Sequence, residues 1–125
     1  MITGEVNAEM EAVVRLTVLG PQGRKQVIEA VVDTGFNGSF TLPPDLIAAL
    51  ELPLHSQGLG MLADGSSMLF DVFEAAVIWD DQPRRMSVYS ADASPLLGMN
   101  LLNGHELTVQ VVERGAVSVR ALPIS

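Results

Sequence analysis

The chain has no cysteine. Disulfides, thiolate metal sites and a cysteine nucleophile are thereby excluded. Its only histidines, His55 and His105, show no HxxxH or HxH spacing, so the frame of a histidine metal centre is missing and no metal or other cofactor is expected. Positive charge is scarce: 7 Lys and Arg stand against 15 Asp and Glu, a net charge of −8. The only basic pairs are the doublets Arg24-Lys25 and Arg84-Arg85. Neutralising phosphates takes clustered cations, so neither nucleic acid nor an anionic membrane is an expected partner. No apolar run approaches the ~18 residues of a membrane span. The opening Met1-Ile2-Thr3-Gly4-Glu5 lacks the basic and apolar regions of a signal peptide. The default expectation is a soluble, cytoplasmic protein.

What is present is apolar. Hydrophobic residues make up 48% and mean hydropathy is +0.33, which suits a packed core and argues against disorder. A length of 125 residues predicts one domain over 1–125, with the polar stretch Met1 to Met10 frayed. So much apolar residue beside 18% charged residue favours cover by a second subunit.

Local patterns predict strands and turns. Glu11–Leu19 and Gln26–Val32 are β-branched and apolar around Gly20-Pro21-Gln22-Gly23, a hairpin signal. Ser39–Leu42 is a short extended piece. Pro43–Leu50 reads as a short helix with proline in its first turn and Asp45 near its positive end. Ser56–Ala63 and Ser66–Trp79 flank Asp64-Gly65, a second hairpin signal. Asp80–Pro83 reads as a solvated turn, Arg84–Ser90 as a strand, Leu96-Leu97-Gly98 as a short apolar strand, and Met99–Leu102 as one helical turn. Glu106–Val112 and Ala116–Leu122 close the chain as a hairpin. Short strands at near-regular spacing predict an all-β barrel or sandwich.

Asp33-Thr34-Gly35 is the stretch richest in chemistry. A carboxylate stands at the mouth of an apolar strand, followed by a hydroxyl and a glycine. By itself the tripeptide reads more readily as an Asx turn than as a site. In order along the chain, however, come this tripeptide with Asn37-Gly38-Ser39 behind it, the glycine-containing hairpin Gly58–Val72, and Leu96-Leu97-Gly98 running on into Met99-Asn100-Leu101-Leu102. This ordered set, spanning residues 10 to 122, resembles the retropepsin-like aspartic proteases, and the small prokaryotic single-domain members most of all.

The resemblance implies a closed retropepsin-like β-barrel with a flap hairpin and one or two short helices. It implies an aspartic endopeptidase acting on a protein or peptide substrate. One chain carries one Asp-Thr-Gly, so a carboxylate dyad requires a homodimer with Asp33 of each copy at a two-fold axis. Asp33 would then serve as base in one subunit and acid in the other, Thr34 would bond across the axis, and Gly35 would admit the substrate backbone. Phe36, Asn37, Met61, Ala63, Asp64 and Gly65 would touch substrate, as would Met68. Leu96, Leu97 and Gly98 would support the catalytic loop. Phe36 stands where viral members commonly have Ala or Ser, and it reads equally as subsite wall or core. Asn37 stands where they have an acid. Both departures bear on specificity more than on chemistry.

Two rival readings remain at this point. The same fold could hold an extended peptide without cleaving it, as a dimeric binding module. Alternatively, Asp-Thr-Gly is only a turn in a structural β-domain. Ser66-Ser67 has no base beside it in sequence, so serine catalysis is not expected.

Overall fold

The computed structural model describes residues 1–61 and 64–123. Its strands are β1 (Ile2–Val6), β2 (Ala12–Leu19), β3 (Lys25–Val32), β4 (Phe40–Leu42), β5 (Leu54–Met61), β6 (Ser67–Trp79), β7 (Gln82–Ser90), β8 (Leu96–Leu97), β9 (His105–Val109) and β10 (Ala116–Ala121). Among the described residues two short α-helices interrupt them, α1 (Pro44–Ala49) and α2 (Met99–Leu102), and a 3-10 turn covers Pro21–Gly23.

Alternation places one face of each strand inside. In β2, Val14, Leu16 and Val18 are buried while Arg15 between them is exposed. Ile28 and Ala30 of β3 and Ala75, Val77 and Trp79 of β6 join the same core. Phe40, Leu42 and Leu97 are fully buried at its centre.

All strands belong to one sheet, in the order β5-β6-β7-β4-β8-β3-β2-β1-β10-β9. The sheet closes on itself where Val18 and Leu19 of β2 pair with Val77 and Ala76 of β6. The ring therefore runs β2-β3-β8-β4-β7-β6 and back to β2, an all-β closed barrel. The β5–β6 hairpin projects from one side of the ring. On the other, β1, β10 and β9 extend the edge of β2 beyond the stretch that meets β6.

The expectation of a frayed N-terminus is corrected. Ile2–Val6 is a strand paired on both sides, to β2 through Gly4↔Val14 and to β10 through Ile2↔Val119. Ile2 and Val6 are buried. Gly4 is needed there, since a Cβ would run into the carbonyl of Val13. The strand expected over Glu106–Val112 stops at Val109. Val111 and Val112 are exposed, in a bend whose Arg114 takes φ 65°. Asp80 and Asp81 form the two-residue turn between β6 and β7, both at positive φ (52° and 68°), as a turn matching strand twist demands.

Two side-chain contacts tie the ring to its extension. The Trp79 indole N–H donates to His105 Nε2 at 3.0 Å, and the rings meet edge to face with centroids 5.4 Å apart. His105 Nδ1 lies 3.1 Å from the Asn103 carbonyl. A neutral ring donating from Nδ1 and accepting at Nε2 satisfies both partners.

Leu97 is fully buried between β3 and β4. Leu97→Ala is expected to destabilise the fold by about 3 kcal/mol, the usual range for a buried leucine truncated in a tight core. The measurement is the urea midpoint at unchanged m-value.

Candidate active site

The loop from Asp33 to Ser39 joins β3 to β4, two strands that do not touch. β8 lies between them, parallel to β3 (Val31↔Leu96, Val32↔Leu97) and antiparallel to β4 (Phe40↔Leu97, Thr41↔Leu96). The loop must arch over the end of β8. Thr41, the one buried polar residue among those described, accepts the Leu96 N–H on its hydroxyl at 3.0 Å.

Asp33 is held three ways. Its N–H donates to the Leu97 carbonyl at 2.9 Å, its carbonyl accepts from Phe36 N–H at 3.2 Å, and its Oδ1 accepts from Gly35 N–H at 2.9 Å. The last is the Asx bond that the bland reading of the tripeptide predicts. It also orients the carboxylate. Oδ2 has no hydrogen-bond partner among the described residues. Asp33 is half-buried; Thr34 and Gly35 are exposed. The Thr34 hydroxyl likewise has no partner among the described residues. It lines a groove of about 560 Å³ together with Asn37, Met99, Asn100, His105 and Leu107.

The start of α2 locks the arch. A helix begins with unpaired N–H groups, and here loop carbonyls take them. Gly98 donates to Ser39 (3.0 Å), Met99 to Phe36 (2.8 Å) and Asn100 to Gly38 (3.1 Å). The Asn100 side-chain amide donates to Ser39 Oγ at 2.7 Å. Gly98 has no room for a side chain: a Cβ would collide with the Gly38 carbonyl and lie 2.6 Å from the Phe36 ring and 2.8 Å from the Phe36 carbonyl oxygen.

Phe36 is half-buried, its ring against Gly38 and Gly98, outside the main core cluster. Its ring centroid is 6.1 Å from that of Tyr89, which in turn stacks on Phe70 at 6.4 Å. This row runs from the arch to the β5–β6 hairpin. Register puts Gly58, Gly60, Met68, Phe70 and Val72 on the hairpin face toward Tyr89, and Leu59, Met61 and Leu69 on the other. The Phe70 ring covers Gly60, where a Cβ would strike it.

Leu97 and Gly98 thus hydrogen-bond the loop through their backbone, while Leu96 pairs with β3 and β4. Met61, Asp64 and Gly65 lie at the hairpin tip and are exposed; no hydrogen bond among the described residues joins them to the arch. Ala63 lies outside the described residues. Ser39, Asn100, Phe70 and Tyr89 were not singled out as site residues from sequence. Asn100 had a signal, the Gly-x-Asn-Leu-Leu run. The aromatic row had none, because its members are distant in sequence. Among the described residues no group of three or more His, Asp or Glu is placed to hold a metal.

No family model matches the chain, and no curated protein matches it in sequence. Among solved structures, EIAV protease complexed with the inhibitor HBY-793 matches with a TM-score of 0.61 over 77% of this chain and 88% of that one. The fold is retropepsin-like. At 16% identity the likeness carries the fold alone.

At the hairpin tip, Asp64 Oδ1 accepts from both the hydroxyl and the N–H of Ser66. Those bonds, the hydroxyl first, hold the Asp64 carboxyl below its ordinary value. A depressed folded pKa stabilises above the unfolded value and the benefit is lost as pH falls through the folded one. Asp64 is therefore expected to stay charged in mild acid. Ser66→Ala is expected to raise its titration midpoint toward the ordinary carboxylate range, read by carboxyl-carbon NMR. For the arch, Gly98→Ala is expected to destabilise the protein by about 1–3 kcal/mol, as overpacking does; chemical denaturation checks it.

Proposed function

We propose that this protein is an aspartic endopeptidase, active as a homodimer with one Asp33 from each chain. The observation that carries the reading is the placement of Asp33: its backbone is fixed to β8, its Oδ1 is oriented by Gly35 N–H, and its Oδ2 is unengaged among the described residues, within a retropepsin-like barrel.

The chemistry follows from elementary electrostatics. Peptide hydrolysis without a metal needs a base for water and an acid for the leaving amine. Two carboxylates in contact do not both ionise, so one keeps a proton and the pair supplies both roles. The two titrate as a unit, and neither pKa belongs to one chain. The ionised Asp33 takes a proton from water as the oxygen attacks the peptide carbon. The protonated Asp33 donates to the peptide oxygen, and a proton then passes to the amine as the C–N bond breaks.

The rest of the site fits this reading in role. Thr34 and Gly35 are exposed beside Asp33; in this reading Thr34 meets the partner and Gly35 admits the substrate backbone. Phe36 and Asn37 flank the scissile position. The hairpin carrying Met61, Asp64 and Gly65 closes over the peptide and excludes water. The partner's place is the Thr34 side of the molecule. There Met99 is exposed at the groove and β9 is an open strand edge. No helix among the described residues is long and apolar enough to cross a membrane.

A second reading has its own support. Leu59, Met61 and Leu69 leave an apolar hairpin face exposed, which suits capture of an extended peptide with or without turnover.

The test is digestion of a diverse peptide mixture from about pH 4 to 7, where a paired-carboxylate site holds one shared proton. Wild type is expected to cut at discrete bonds, and Asp33→Asn to lose cleavage by a factor of at least ~10³ while remaining folded and dimeric. Turnover retained in Asp33→Asn would sink the proposal. Bound peptide recovered intact by mass spectrometry would favour the binding module.

A further inference from the structure

We propose that a polar pocket beside the arch, between β7, residues 37–39 and α2, is an anion subsite that takes a carboxylate side chain of an extended peptide. The identity of the ligand rests on the peptide-cleft reading above; the pocket stands on this chain's own residues.

The pocket encloses about 330 Å³ and is lined by Asn37, Ser39, Arg84, Arg85, Ser87 and Tyr89, among others. Both charged residues lining it are basic, and no acid does. That is notable in a chain with 15 acidic residues against 7 basic ones. It also places the Arg84-Arg85 doublet, one of only two in the sequence, at the site.

Arg84 is the centre of the argument. It is half-buried and donates from Nη1 to the Leu101 carbonyl at 3.2 Å. It has no ion-pair partner within 4.0 Å among the described residues. A guanidinium has five N–H donors in a planar fork that suits a carboxylate bidentately. One carbonyl leaves most of that capacity unused, and partial burial strengthens what remains. Arg85, next along β7, directs its side chain to the other face of the strand, where its Nη1 lies 3.3 Å from Glu74 Oε1. The Ser87 and Tyr89 hydroxyls and the Asn37 amide supply further donors.

The pocket adjoins the arch. Asn37, one of the residues proposed to flank the scissile position, lines it. Tyr89 lines the pocket while its ring meets Phe36 and Phe70. A strand lying along the arch sends alternate side chains to one side, so one position of a bound peptide faces Arg84. An acidic residue there gains a charge-assisted hydrogen bond, whereas its amide leaves the guanidinium unpaired. The expected discrimination is about tenfold or more in kcat/KM for Glu over Gln at that position.

Two arms decide it. In the first, the peptide mixture is cleaved by wild type, Arg84→Gln, Arg84→Lys and Arg85→Gln, and the Glu/Gln ratio of kcat/KM is read at each distance from the cut bond. The expected result is acid preference at one fixed distance, lowered about tenfold in Arg84→Gln and less in the other two. Acid preference that is absent, or unchanged in all three variants, overturns the proposal. If Arg84→Gln fails to fold, Arg84→Lys and Arg85→Gln carry the comparison. The second arm needs no catalysis. N-acetylglutamate is titrated into the full chain carrying Asp33→Asn, and the arginine Nε–H resonances are followed by NMR. A saturable shift at Arg84 that N-acetylglutamine does not produce supports the subsite; no such shift counts against it. A shift in a protein that cuts nothing keeps the pocket and removes the protease reading. Cleavage without acid preference or shift does the reverse.

Discussion

Two residues of strand, Leu96 and Leu97, separate β3 from β4, and the chain that joins those strands has no route except over the end of β8. The arch that carries Asp33 is the consequence. Its first N–H bonds to the Leu97 carbonyl, and its later carbonyls cap α2. Gly98 makes the passage possible because the arch crosses where a side chain would stand. Remove the wedge and the barrel loses a strand, the helix loses its N-terminal acceptors and the carboxylate loses its orientation together. The position of Asp33 is therefore a property of the ring and not of the loop's own conformational preference.

Local features were legible where periodicity and turn chemistry sufficed. The β2–β3 hairpin, α1, α2 and the Asp64-Gly65 connection follow from apolar alternation, proline placement and glycine at positive φ (88° at Gly65). Asp33-Thr34-Gly35 with Leu96-Leu97-Gly98 was legible as an ordered pair, and the structure brings the two into contact. What the text does not encode locally is pairing at long range. Ile2-Thr3-Gly4-Glu5-Val6 looks polar and loose alone; it becomes a strand because Val119, far along the chain, meets Ile2. Closure of the ring by Val18 and Val77 is equally invisible in sequence.

The aromatic row shows the same limit at the site. Phe36, Phe70 and Tyr89 come from three separate elements and carry no shared motif, yet they make the physical link between the arch and the hairpin. Phe36 is half-buried and lies outside the main core cluster. It fills the space that Gly38 and Gly98 leave empty and offers its other side to Tyr89. Bulk at this place in the arch is matched by smallness in its neighbours, so the departure at Phe36 is compensated within the loop.

Trp79 is the sole tryptophan of the chain, and its indole N–H ends on His105. Its emission therefore arises from a single place, the seam where the ring meets the C-terminal hairpin. The molecule thus contains its own optical gauge of that seam, readable without a label.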